Sequence, residues 1–280
     1  MTNTGLLNRL MMAAALWFCA GIAIAAQPAT HVIGIGACAP YKGIPPAICA
    51  EAVRDVTSAL AERYDVPQAQ IHTLVNKQAT VDGLVAFFEA LPDFTAQDSV
   101  LLYVVMHNGA GDGTQVATSK NDIMIFWSED DPGATQFALF ERKWLRASDF
   151  ADMLKQMGAG RVVAMFDACH SGALAADVLH EMPQQDVRIA TIASSTADEV
   201  ANMNEDMTGP LFSSLLVSEL DNTQGASFAQ VVQTAAKQAD TQARQICSER
   251  QSLMNKNIGQ DVNCNQTPII QDPSSLLEEF

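Results

Sequence analysis

The chain has 280 residues, 48% hydrophobic and 17% charged, which excludes a disordered polymer and fits one large globular domain or two small ones. Its formal charge of -16 makes nucleic acids and anionic membranes poor partners and basic peptides good ones. The same acidity also serves the solubility of an exported protein.

In chain order, Arg9 precedes the apolar run Leu10 to Ala25, and the small-residue pattern Ala23-Ile24-Ala25 leads into Gln27-Pro28. This is the layout of a secretory signal peptide, so residues 1–25 are expected to be removed and residues 26–280 to form the mature domain. A retained anchor is the competing reading, but the run is short of the roughly 20 apolar residues a bilayer span needs. Cys19 lies behind the large aromatics Trp17-Phe18, which argues against lipid attachment. The expected location is periplasmic or secreted, with no stable membrane anchor once the signal is gone.

From Ala29 on, short apolar runs alternate with amphipathic stretches, the pattern of a largely parallel sheet covered by helices. His31 to Ile35 is the first predicted strand. A helix follows from about Pro46 to Tyr64, its apolar positions Ala52, Val53, Val56, Leu60 and Ala61 falling near helical spacing. Ile71 to Val75 reads as a second strand, and Thr80 as the N-cap of a helix that carries Phe87, Phe88 and Leu91 before Pro92. Ser99 to Val105 is a continuous apolar strand running into Met106-His107-Asn108-Gly109. The section after it is irregular, with a hairpin expected around Ile123 to Trp127 and an acidic turn at Glu129-Asp130-Asp131-Pro132-Gly133.

A helix from about Ser148 to Met157 leads to a fourth strand, Arg161 to Phe166, which ends at Asp167-Ala168-Cys169-His170-Ser171-Gly172. Helix is expected again over Ala173 to Leu179, a fifth strand over Val187 to Ala193, and helices over Leu211 to Leu220 and Phe228 to Cys247. Thr267 to Ile270 supplies a sixth strand. No internal repeat or domain-scale linker interrupts residues 26–280, so one domain is the simpler count, residues 221–280 completing it as a helical and loop extension.

Five cysteines follow the signal: Cys38, Cys49, Cys169, Cys247 and Cys264. Cys38 and Cys49 bracket a Pro/Gly loop, and Cys247 and Cys264 a polar segment, so two local disulfides suit an oxidising compartment, although four cysteines allow three pairings. Under the local pairing Cys169 stays free. Ligands of open parallel sheets bind beyond the carboxyl ends of the strands, and there His107 follows the third strand and Cys169 the fourth. A thiol needs such a base to become a nucleophile. Gly172 and the turn after Cys169 open a helix whose N–H groups suit a developing oxyanion. His170 is a rival base, although neighbours in sequence usually point apart.

The runs Leu101-Leu102-Tyr103-Val104-Val105-Met106-His107 and Val162-Val163-Ala164-Met165-Phe166-Asp167-Ala168-Cys169-His170-Ser171-Gly172 resemble the histidine and cysteine blocks of caspase-like peptidases, metacaspases most closely. Arg54-Asp55-Val56, Gln78-Ala79-Thr80, Ala193-Ser194-Ser195-Thr196-Ala197-Asp198-Glu199 and Gly209-Pro210-Leu211-Phe212 add supporting matches, so the resemblance spans most of residues 30–220. It implies an α/β fold, a caspase-like three-layer sandwich with a mostly parallel sheet of about six strands and helices on both faces. It also implies peptide-bond hydrolysis through a thioester. Asp167 and Asp55 are then expected to line a pocket for an arginine or lysine side chain, with Ser194 and Ser195 as further substrate-binding positions. Asn108 and Gly109 would supply main-chain donors to the oxyanion, although the family usually places glycine directly after the histidine.

The expected activity is therefore that of an exported cysteine endopeptidase with catalytic His107 and Cys169, cutting peptide or protein substrates after basic residues. A legumain-like preference for asparagine or aspartate is one alternative, and a catalytically inactive peptide-binding protein another. No cofactor is required by this chemistry. Some metacaspases use calcium, and Asp112, Glu129, Asp130 and Asp131 lie in loops where such an ion would act, but without EF-hand spacing. A metal site built from Cys169, His170 and His107 lacks paired ligand spacing, so none is expected.

Overall fold

The computed structural model describes residues 28–38, 47–109, 123–125, 144–182, 186–254 and 265–280. The expected signal segment, Cys264, Asp112 and Glu129-Asp130-Asp131 lie outside them, as does the side chain of Cys247. The expected Cys247–Cys264 pairing therefore also falls outside the described residues.

Strand β1 (Thr30–Ala37) is followed by α1 (Ala47–Arg63), β2 (Ile71–Val75) and α2 (Val81–Glu89). Next come β3 (Ser99–Gly109), the short strands β4 (Ile123–Ile125) and β5 (Trp144–Arg146), then α3 (Ala147–Met157) and β6 (Arg161–Asp167). The chain closes with α4 (Ser171–Glu181), β7 (Arg188–Ala193), α5 (Leu211–Asn222), α6 (Phe228–Met254) and β8 (Ile269–Gln271). The main sheet has the order β2-β1-β3-β6-β7-β8. All its pairings are parallel except β7 with β8, which is antiparallel. The antiparallel pair β4–β5 extends from the end of β3.

The strands are apolar on both sides, and each side is covered. Val100, Leu102, Val104, Val162, Ala164 and Phe166 pack against Leu84 of α2, Phe150 and Leu154 of α3 and Leu174 and Val178 of α4. Leu101, Tyr103, Val105, Val163 and Met165 face Val53, Val56 and Leu60 of α1, Phe212 and Leu216 of α5 and Phe228 and Val232 of α6. The period of two in the strands thus sorts alternate residues into two apolar layers, giving a three-layer α/β sandwich. Close approach of α1 to β1 depends on glycine: a Cβ at Gly34 would lie 2.5 Å from Val53 Cγ1, and one at Gly36 3.0 Å from the Cys49 carbonyl oxygen. A disulfide joins Cys38 at the end of β1 to Cys49 in α1, with Cα atoms 5.6 Å apart.

Two local signals act as expected. Thr80 caps α2 by accepting from the Gly83 N–H at 2.9 Å. Helix α3 stops at Gly158, whose φ of 80° is the left-handed conformation glycine tolerates best. One local expectation is corrected. The third strand, expected over Ser99 to Val105, runs on to Gly109 and pairs His107, Asn108 and Gly109 with Ile125, Met124 and Ile123 of β4.

Candidate active site

Parallel pairing sets the centre of the site. Val104 lies opposite Phe166 and Val105 opposite Asp167, so His107 and Cys169 each follow two residues after the last positions paired between β3 and β6, at the carboxyl edge of the sheet. Alternation places His107 on the face of Tyr103 and Val105, the side covered by α1 and α5. Both His107 and Cys169 are half-buried. Cys169 is the free cysteine among the described residues.

Both groups are shifted toward their neutral forms. Burial pushes the Cys169 thiol up, and the charge of Asp167 pushes the same way, while the backbone N–H of Ala201 acts in the opposite sense. Burial also pulls the His107 imidazole below its ordinary value. Both shifts favour a thiol and a neutral imidazole over a thiolate and an imidazolium.

The turn holding Cys169 is tied down from the far side of β7. His170 has φ 57° and stands at the N-cap of α4. Its backbone N–H donates to the Glu199 carbonyl at 2.8 Å, and its Nδ1 meets the Ala197 carbonyl at 2.7 Å. The rival base is thus bound to the loop after β7. Gly172 is necessary for that approach, because a Cβ there would lie 2.9 Å from the Ser195 carbonyl oxygen. Ser194 and Ser195, expected to touch substrate, are fully buried. Ser194 Oγ accepts from the Ala168 N–H at 3.2 Å, and Ser195 Oγ donates to the Ala168 carbonyl at 3.0 Å. They brace the residues around Cys169 from behind and do not line an open surface.

An acidic pocket of about 300 Å³ lies between α1 and the segment leading into α5, with Glu51, Asp55, Asn204, Thr208, Gly209 and Ser213 among its walls. Asp167 is buried directly behind Ser213. Its Oδ2 accepts from the Ser213 backbone N–H at 3.2 Å and from the Ser213 hydroxyl, which also meets the Tyr103 hydroxyl. Ser213 belongs to the first turn of α5, so a helix N-terminus with its free N–H groups faces this carboxylate. Burial nevertheless pushes the Asp167 carboxyl up against the opposing pull of the Ser213 and Ser194 side chains and the Ser213 N–H, and no partner lies within hydrogen-bond distance of its buried Oδ1.

Asp55 lines this pocket as an exposed residue of α1, its side chain 52% accessible and paired with Arg54 at 2.9 Å, whereas Asp167 lies buried behind Ser213. Asn108 is buried, and neither its Nδ2 nor its Oδ1 has a partner. Its main-chain N–H and that of Gly109 lie in a strand that pairs with β4 rather than in an open turn.

Sequence reasoning did not single out Tyr103, Ser213, Glu51 or Asn204. Tyr103 carried a signal, as the one aromatic residue in an otherwise aliphatic strand and four positions before His107 on the same face. Asn204 makes the pocket rim: its Oδ1 accepts from the N–H groups of Thr208 at 2.9 Å and Gly209 at 3.2 Å, and its Nδ2 donates to Ser214 Oγ at 3.3 Å. Nothing in the spacing of these residues marks that turn. Among the described residues no three His, Cys, Asp or Glu side chains gather as a metal ion would require, and no helix is long and apolar enough to cross a membrane.

No family model and no curated protein sequence matches the chain. Among solved structures it is similar to a crystal structure of a Geobacter sulfurreducens protein determined as a structural-genomics target. The two share 14% sequence identity over 90% of this chain and 97% of the other, with a TM-score of 0.53. The likeness establishes the three-layer α/β fold.

Proposed function

We propose that this chain is an exported cysteine endopeptidase of caspase-like, most nearly metacaspase-like, character that cleaves after arginine or lysine. The observation that carries the reading is the unpartnered Oδ1 of Asp167, buried two residues before the free Cys169 and behind the wall of an acidic pocket. A buried carboxylate with an empty acceptor site is costly unless a cation reaches it. A guanidinium or ammonium entering past Glu51 and Asp55 would supply that cation and set the scissile carbonyl near Cys169. The same acidity does not favour the aspartate preference open to a legumain-like enzyme.

In this mechanism His107 takes the Cys169 proton as sulfur attacks the carbonyl, then returns it to the leaving amine, and water releases the thioester. The main-chain N–H groups of Cys169 and Gly172 are the proposed oxyanion donors. Ser194 and Ser195 act as positioning residues for the Cys169 turn. A cation in the pocket also answers the neutral resting state, because Asp167 is one of the groups holding the thiol up. No cofactor enters these steps.

The test is a peptide panel differing only at P1, assayed with and without a calcium chelator. Cleavage after arginine and lysine is expected, with Cys169→Ala and His107→Ala each lowering kcat/KM by about a thousandfold or more. Cleavage confined to aspartate or asparagine overturns the specificity. The neutral resting thiol favours a second reading, a peptide-binding protein without turnover. Binding of arginine peptides to the pocket with no cleavage at any P1 residue would support it against the enzyme.

A further inference from the structure

On the opposite face of the sheet, α2 and α3 run side by side without closing on each other, and the cleft between them has a volume of about 470 Å³. Its floor is made by Phe88, Leu91 and Phe94 from one side and Met153 and Met157 from the other. All five are only partly buried and are continuous with the core beneath. Val85 stands at the edge with 39% of its surface exposed, one of three exposed large hydrophobic residues among those described. The rim carries Glu89 and Asp93 on one wall and Asp149 and Asp152 on the other. Of these, Asp152 is paired with Lys155 at 2.8 Å, and among the described residues no ion pair engages Glu89, Asp93 or Asp149.

We infer that this cleft is a docking groove for a basic amphipathic helix presented by a partner protein. An apolar trough between two helices takes the apolar stripe of a third, in which residues at helical spacing fill the trough and flanking lysines or arginines meet the rim. Charge decides the occupant. A second copy of this chain would bring the same carboxylates face to face, in a protein whose formal charge is already -16. An acidic or purely polar helix finds either repulsion or an unfilled floor. The groove lies on the face of α2, α3 and α4, away from the acidic pocket on the face of α1 and α5, so it is independent of whether Cys169 is catalytic.

The experiment uses the whole chain as Cys169→Ala, so that a basic probe is not consumed, and measures fluorescence anisotropy of a labelled leucine/lysine helix of about 14 residues. Saturable binding is expected, at least tenfold weaker for a leucine/glutamate helix or a serine/lysine peptide, and weaker as salt rises. Reversal of either wall, Glu89→Lys with Asp93→Lys or Asp149→Lys with Asp152→Lys, should weaken binding by about tenfold or more. Having two separate walls guards against one variant failing to fold. Glu51→Gln with Asp55→Asn should leave binding unchanged. Binding that ignores both walls, that follows the pocket variant instead, or that is equal for the serine/lysine peptide overturns the inference.

Discussion

Asp167 concentrates the electrostatics of the site in one side chain. Burial raises its carboxyl pKa, so the folded chain holds this proton more tightly than the unfolded chain does. The stabilisation this gives is complete below the unfolded value near 3.9 and is lost as pH rises through the raised folded value. The thermal midpoint of Asp167→Asn should therefore gain on that of the parent as pH goes from about 4 to 7, by roughly 2–4 °C for each kcal/mol relieved. Benzamidine, a small guanidinium-like cation, should narrow the gap by pairing with Asp167 in the parent alone. A pH-independent gap, measured by differential scanning fluorimetry, contradicts the burial of an uncompensated charge.

The Cys169 thiol is raised for the same two reasons, burial first and Asp167 second. Its alkylation by iodoacetamide should be slow at neutral pH and still climbing past the ordinary thiol value near 8.5, because only the thiolate reacts. Benzamidine should speed this reaction at neutral pH, and should not in Asp167→Asn. A rate already flat at neutral pH contradicts the neutral resting pair.

At the scale of elements, the sheet was legible because each strand is an uninterrupted apolar run and each helix keeps its apolar stripe. Ile71 to Val75 is a strand over just those residues, and Thr80 caps the helix it was expected to cap. The end of β3 was not legible. Pairing with β4 carries the strand four residues beyond Val105, and that pairing depends on a segment distant in sequence. Likewise Asp167 at the end of β6 and Cys169 just past it were visible in the sequence, whereas the exposure of Asp55 and the internal role of Ser194 and Ser195 follow from tertiary packing that no local pattern records. Gly172 shows how closely two elements can be fitted: a methyl group there meets the Ser195 carbonyl oxygen at 2.9 Å. Gly172→Ala should cost about 1–3 kcal/mol in denaturant unfolding and change the alkylation rate of Cys169 with it. Unaltered stability and reactivity would mean that the loop after β7 does not hold the nucleophile turn.

For the molecule as a whole, the Cys38–Cys49 bridge ties the end of β1 to α1 around a short loop. A loop of that length restricts the unfolded chain enough to stabilise the fold by about 3 kcal/mol. Cys38→Ser with Cys49→Ser should lower the unfolding free energy by an amount of that order, and an unchanged value would remove the argument for an oxidising compartment. The two faces of the sandwich divide the proposed work, with cleavage between α1 and α5 and docking between α2 and α3. Central to this account is Cys169 as a nucleophile that selects a basic P1 residue. The most direct measurement treats the whole chain with peptidyl acyloxymethyl ketones carrying arginine or aspartate at P1 and locates the adduct by mass spectrometry. The account predicts a stoichiometric adduct on Cys169 from the arginine reagent, formed about tenfold faster or more than from the aspartate reagent. Equal labelling by both, or labelling no faster than in the urea-unfolded chain, would contradict it.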